Sequence, residues 1–140
     1  MEIILWRHAD AEDGADDLAR RLTAKGVAQA AAMADWLRGR LPSAFSLLAS
    51  PARRAQQTAA ALQAQIETDP ALAPGASVAQ IVRACEGRRG LVIVVGHQPD
   101  LGRAAAHLVS GTRGEWPLDK GALWWIDGRR VRAVISPDLL

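Results

Sequence analysis

The sequence holds a single cysteine, Cys85, among its 140 residues. One thiol excludes an internal disulfide and any cysteine-based metal cluster, and its place after the apolar-patterned segment 78–84 makes it a core residue. Histidine is nearly as scarce. His8, His97 and His107 stand at no metal-ligand spacing, so no metal site is expected. No apolar run approaches the roughly 20 residues that cross a bilayer. The acidic Glu2 is unlike the basic start of a secretory leader, so a cytoplasmic protein without a membrane partner is expected. No lysine- and arginine-rich block interleaves with aromatics, which leaves nucleic-acid binding without support. The 17 basic and 15 acidic residues leave a formal charge of only +2. Repeats, linkers and low-complexity tracts are absent too, so residues 1–140 are expected to form one domain.

What is present is the composition of a globular domain with a real core: 49% hydrophobic and 23% charged residues. Ile3-Ile4-Leu5-Trp6 is a short continuous apolar run, the pattern of a strand buried on both faces. Trp6 should turn into the core, because strand neighbours alternate faces. Thr23 is placed to cap a helix from Ala24, with Val27, Ala30, Ala31, Ala34, Leu37 and Leu41 as its apolar stripe and Pro42 as its stop. Phe45 to Ala49 reads as a second strand. Ser50 and Pro51 then read as the cap and first position of a second helix, whose buried side is Ala52, Ala55, Ala59, Leu62 and Ile66. Ser77 can cap a third helix that ends near Gly87. Leu91 to Val95 is the strongest strand, β-branched and without alternation, and so central in a sheet. A fourth helix after Pro99 points Leu101, Ala104, Ala105 and Leu108 inward. Leu123 to Ile126 and Arg130 to Ile135, joined by Asp127-Gly128-Arg129, form a hairpin. The expectation is a three-layer α/β/α sandwich with a mostly parallel central sheet and a C-terminal β-hairpin.

Three strand ends carry similar chemistry: Arg7-His8, Ser50 to Arg54, and Gly96-His97. In a parallel sheet these ends share one edge, where ligands bind. Arg54 falls in the first turn of its helix, where free N–H groups already favour an anion. Two guanidinium groups and two imidazoles around one point make a phosphate cradle, since arginine matches phosphate oxygens with paired donors.

These segments resemble the histidine phosphatases, the superfamily that also holds the cofactor-dependent phosphoglycerate mutases. The matching features are Arg7-His8, then Leu22-Thr23-Ala24-Lys25-Gly26, then Ser50-Pro51-Ala52-Arg53-Arg54-Ala55-Gln56-Gln57-Thr58, then Gly96-His97. The short chain, Arg20 and the His97-Gln98-Pro99 turn are most similar to the SixA-type phosphohistidine phosphatases. The resemblance implies that His8 is the nucleophile, that Arg7, Arg20 and Arg54 bind phosphoryl oxygens, and that His97 donates to them. It implies no cofactor. Arg53 and Arg21 are expected to be solvated neighbours.

A general acid is less evident. Larger family members carry one on an insertion that this chain is too short to hold, and Glu67, Asp69 and Glu86 are no evident substitutes. Asp17, three residues before Arg20, matches an acidic position of the SixA-type proteins; it is either that acid or one more solvated carboxylate beside Asp10, Glu12, Asp13 and Asp16. A leaving imidazole departs more readily than an alkoxide, so a weak acid favours phosphoramidate substrates. The expected partner is a phosphohistidine-bearing protein. The alternatives are a small phosphorylated metabolite as substrate, or a module that binds phosphoprotein without hydrolysing it. Ala9 departs from the family, where glycine usually follows Arg-His, and is strained if the backbone there needs positive φ. Trp116-Pro117 is a candidate groove rim. His107 matches no motif and is expected to be structural.

Overall fold

Six strands form one sheet with the order β3-β2-β4-β1-β5-β6 in a computed structural model that describes residues 1–140. The strands are β1 (Glu2–Arg7), β2 (Phe45–Ala49), β3 (Glu67–Thr68), β4 (Leu91–Gly96), β5 (Leu123–Asp127) and β6 (Arg130–Ile135). The four on one side, β3, β2, β4 and β1, run parallel, and β5 and β6 add antiparallel. The helices are α1 (Ala24–Arg38), α2 (Arg53–Ala60), α3 (Val78–Cys85) and α4 (Asp100–Ser110).

Alternation along the strands divides the core in two. Ile3, Leu5, Val92 and Val94 face α3 and α4, meeting Ile81, Cys85, Leu101, Ala104 and Ala105. Ile4, Trp6, Ile93 and Val95 face α1 and α2, meeting Met33, Ala34, Leu37, Ala55 and Ala59. Every residue of β4 is buried, as its unbroken β-branched run requires. The three layers, the mostly parallel sheet and the terminal hairpin therefore follow the sequence pattern. Cys85 lies in the core, where burial pushes its thiol up to about 11.

The local departures have physical reasons. α1 is rolled relative to its expected stripe: Val27 and Ala31 are exposed, while Gly26 and Met33 are buried. Gly26 sits against the chain leaving β1, where a Cβ would lie 2.0 Å from the Asp10 carbonyl oxygen. That close approach draws the Gly26 side of the helix inward. The Thr23 cap forms as expected, its hydroxyl accepting from the Gly26 N–H at 3.0 Å. α2 begins at Arg53, not Pro51, and Ser50 does not cap it from the expected position. It also ends at Ala60, three residues before Gln63 takes a left-handed backbone (φ 56°), so Leu62 and Ile66 lie beyond it. Strand β3 and a 3-10 turn at Asp17–Ala19 fall where sequence patterning gave only loops. Trp116 is half-buried and packs on Trp124, ring centroids 5.1 Å apart. His107 is exposed on α4.

Candidate active site

β1 and β4 are neighbours, and Arg7 pairs with Gly96, so the residues that follow, His8 and His97, leave the sheet side by side. The ladder continues past the strand ends. The His8 N–H donates to the Gly96 carbonyl at 3.0 Å, and the Ser50 N–H donates to the Val95 carbonyl at 3.0 Å. The His8 carbonyl accepts from Gly121, and the Ala9 N–H donates to the Thr58 hydroxyl at 3.0 Å. Both backbone groups of His8 are thus held. Ala9 is fully buried and has no positive φ, so the methyl that replaces the family's glycine costs no backbone strain.

The two imidazole rings lie 5.2 Å apart between centroids, and both are buried. His8 Nδ1 is 2.7 Å from the Ala9 carbonyl oxygen. A carbonyl only accepts, so Nδ1 carries the ring proton and Nε2 presents its lone pair. Burial, helped by the charges of Arg54, Arg7 and Arg20, lowers the His8 pKa to about 4. Burial and the neighbouring His8 and Arg54 lower that of His97 to about 3. Both rings are therefore neutral at physiological pH, as a nitrogen nucleophile must be.

Arg54 comes in from the first turn of α2, only 4% exposed. Its Nη1 donates to the Asp17 backbone carbonyl at 2.7 Å, and its Nη2 to Asp17 Oδ2 at 3.2 Å. Asp17 thus takes one edge of the guanidinium. On the other edge the Nε–H is buried and has no acceptor. Arg7 repeats the pattern: Nη1 donates to the Leu118 carbonyl at 2.9 Å, while its buried Nε–H has no acceptor. An unpaired buried donor costs about 1–3 kcal/mol. Two such donors on two arginines beside His8 describe a site shaped for an anion that accepts from both.

The remaining sequence candidates gather here too. Asp17 Oδ1 accepts from Arg20 Nη1 at 3.1 Å, and Arg20 Nε donates to the Glu12 carbonyl at 2.7 Å. These hydrogen bonds from Arg20 and Arg54 hold the Asp17 carboxyl below the usual carboxylate range, so it is ionised. Arg21 and Arg53 are exposed. Two contributors were not legible as such. Thr58 Oγ1 accepts from Ala9 and donates to the Arg54 carbonyl at 2.8 Å, tying the chain beside His8 to Arg54. Ser50 Oγ lies 2.8 Å from His97 Nε2. No group of three His, Cys, Asp or Glu side chains gathers to hold a metal ion. A cavity of about 830 Å³ between α3, α4 and the segment 112–115 contains none of these residues.

Known proteins share these features. The family model for the histidine phosphatase superfamily (branch 1) matches residues 3–77. The phosphohistidine phosphatase SixA of Escherichia coli (strain K12) is 32% identical over 122 residues, covering 79% of this chain and 76% of that protein. An uncharacterised protein of a Picosynechococcus strain is 36% identical over 126 residues, with 81% and 76% covered. Among solved structures, the protein histidine phosphatase SixA complexed with tungstate superposes with a TM-score of 0.87 at 27% identity, covering 99% of both chains. No helix is long and apolar enough to cross a membrane. The buried arginine–histidine cluster, the order of its segments and these likenesses agree: the chain belongs to the histidine phosphatase superfamily.

Proposed function

We propose that this protein removes the phosphoryl group from phosphohistidine on a protein, with His8 as nucleophile. The observation that carries the reading is the pair of buried, acceptor-less Nε–H groups of Arg7 and Arg54 beside the free Nε2 lone pair of His8. A phosphoryl group set among them offers oxygens to both arginines and phosphorus to the imidazole. A tetrahedral oxyanion, tungstate, is the ligand in the solved relative's complex.

In the first step Nε2 attacks phosphorus, and the bond from phosphorus to the substrate nitrogen breaks. The leaving imidazole keeps the electron pair and takes a proton from water. In the second step water attacks the phosphohistidine on His8, releasing inorganic phosphate and restoring the free ring. Two easier displacements replace one hard one. The arginines supply the positive charge that phosphoryl transfer needs. Asp17 orients Arg54 and Arg20 instead of donating a proton, since it is ionised and committed to both. A site without a proton donor suits an imidazole leaving group better than an alkoxide. This chemistry, with the likeness to a phosphohistidine phosphatase, favours a phosphoprotein over a phosphate ester.

The test is a time course of phosphate loss from a phosphohistidine-bearing phosphotransfer domain, with wild type and His8→Ala side by side. Catalytic turnover by wild type alone supports the proposal. His8-dependent hydrolysis of a small phosphate ester, without action on the phosphoprotein, moves the substrate to a metabolite. Binding of the phosphoprotein with its phosphate intact makes the protein a recognition module instead.

A further inference from the structure

We infer that Ser50 is a positioning residue: its buried hydroxyl fixes the ring proton of His97 on Nδ1, aiming that N–H at the phosphoryl group. The inference rests on the phosphatase reading of the site, yet its central observable belongs to the resting protein.

His97 is neutral and has one ring proton to place on either of two nitrogens. Nε2 faces Ser50 Oγ at 2.8 Å, and Nδ1 faces Arg54 Nη2 at 3.4 Å. The two neighbours make opposite demands. A guanidinium only donates, and would be served by a lone pair on Nδ1. Ser50 is fully buried, and its oxygen already accepts from the Ala52 N–H at 3.1 Å. His97 Nε2 is the only other partner its side chain has, so the hydroxyl hydrogen has nowhere else to go. If Nε2 carried the proton, that hydrogen would be buried without an acceptor.

The distances favour Ser50. At 2.8 Å the hydroxyl contact is a full hydrogen bond, whereas 3.4 Å exceeds the roughly 2.7–3.2 Å of an N–H donor and its acceptor. The longer gap suits two donors that can converge on one shared acceptor. An oxygen about 2.8 Å from each nitrogen closes a triangle on that 3.4 Å base, and charge-assisted bonds have that length. The Nε–H of Arg54 also lacks an acceptor. One phosphoryl group would then satisfy Arg54 and His97, while Ser50 keeps its bond to His97 Nε2. His8 uses the same device in mirror image: a carbonyl fixes its proton on Nδ1 so that the other nitrogen can attack.

The experiment reads the His97 ring by ¹⁵N NMR in wild type, Ser50→Ala and Ser50→Cys, beside kcat and KM for each. Wild type without ligand should show the Nδ1–H tautomer. Ser50→Ala should shift His97 toward Nε2–H and lower kcat about 100-fold, the loss expected for one oxyanion donor. Cysteine fills the serine volume but donates weakly, so Ser50→Cys should recover less than a tenth of the lost activity. An Nε2–H tautomer in the wild type overturns the inference whatever the kinetics. So does an unchanged tautomer in both variants, or full activity in Ser50→Cys, which would reduce Ser50 to packing. A wild type with the Nδ1–H ring and no hydrolysis of any phosphate would leave Ser50's control of the ring standing and sink the phosphatase reading.

Discussion

Asp17→Asn separates an acid from an orienting group. Asp17 reaches Arg54 through two atoms, and only one of them changes in this variant. The backbone carbonyl, which accepts from Arg54 Nη1 at 2.7 Å, is untouched. The carboxylate contacts, 3.2 Å to Arg54 and 3.1 Å to Arg20, become contacts to a neutral amide that can still accept from one arginine. The Asp17 side chain is 56% exposed, so solvent screens the charge that is lost. Arg54 is buried but its partner is screened, so the pair falls near the upper end of the surface range of about 0.2–1 kcal/mol, a factor of about 5 in rate if all of it is felt in the transition state. A general acid is worth far more, about 10²–10⁴-fold, and increasingly so as the leaving group becomes more basic. The assay is kcat/KM for wild type and Asp17→Asn on a phosphohistidine protein and on aryl phosphates of graded leaving-group pKa. The structure calls for a loss below tenfold that is the same across the series. A loss above 100-fold that steepens with leaving-group pKa would refute this and restore Asp17 as the proton donor.

Four further outcomes follow from other contacts. Because the His8 pKa is lowered to about 4, kcat/KM should stay level from pH 8 down to about 5, then fall; a fall centred near pH 6.5 would mean an unperturbed ring. The same shifts bear on folding: between pH 6.5 and about 4 the unfolded chain protonates His8 and His97 while the folded one does not. Stability should therefore drop as pH falls through that window, by up to about 1.4 kcal/mol per pH unit for each ring, as urea titrations would read. Thr58→Val keeps the side-chain shape but strips the Ala9 N–H of its acceptor in a fully buried place, so it should destabilise by about 1–3 kcal/mol and slow turnover through the His8 backbone. Gly26→Ala forces a Cβ onto the Asp10 carbonyl and should cost about 1–3 kcal/mol in denaturant titrations; unchanged stability would mean the α1 N-terminus shifts freely.

Strand positions were legible because the apolar runs of β1, β2 and β4 are short, continuous and sharply ended, and the same ends placed Arg7, His8, Arg54 and His97 on one edge. Helix faces were less legible. The α1 stripe counted Val27 and Ala31 as inward because spacing alone cannot see that Gly26 is pressed on Asp10, a contact made by a segment 16 positions earlier in the chain. Ser50 was misread for a related reason. Serine before proline carries the local signature of a cap, and its oxygen does accept from the Ala52 N–H, but its shorter contact is to His97, 47 positions away. Asp17 was found by motif, but its protonation state depends on two arginines that only the folded chain brings to it.

His8 and His97 hang from adjacent strands, joined by the bond from the His8 N–H to the Gly96 carbonyl. Their 5.2 Å ring separation is close to the spacing of strands in any sheet, about 4.8 Å. The backbone ladder thus sets where the two rings start, and the Ala9 carbonyl and Ser50 turn each ring upon it. Loops that join these strands to the helices can then change length while the roots of His8 and His97 keep the spacing of the sheet.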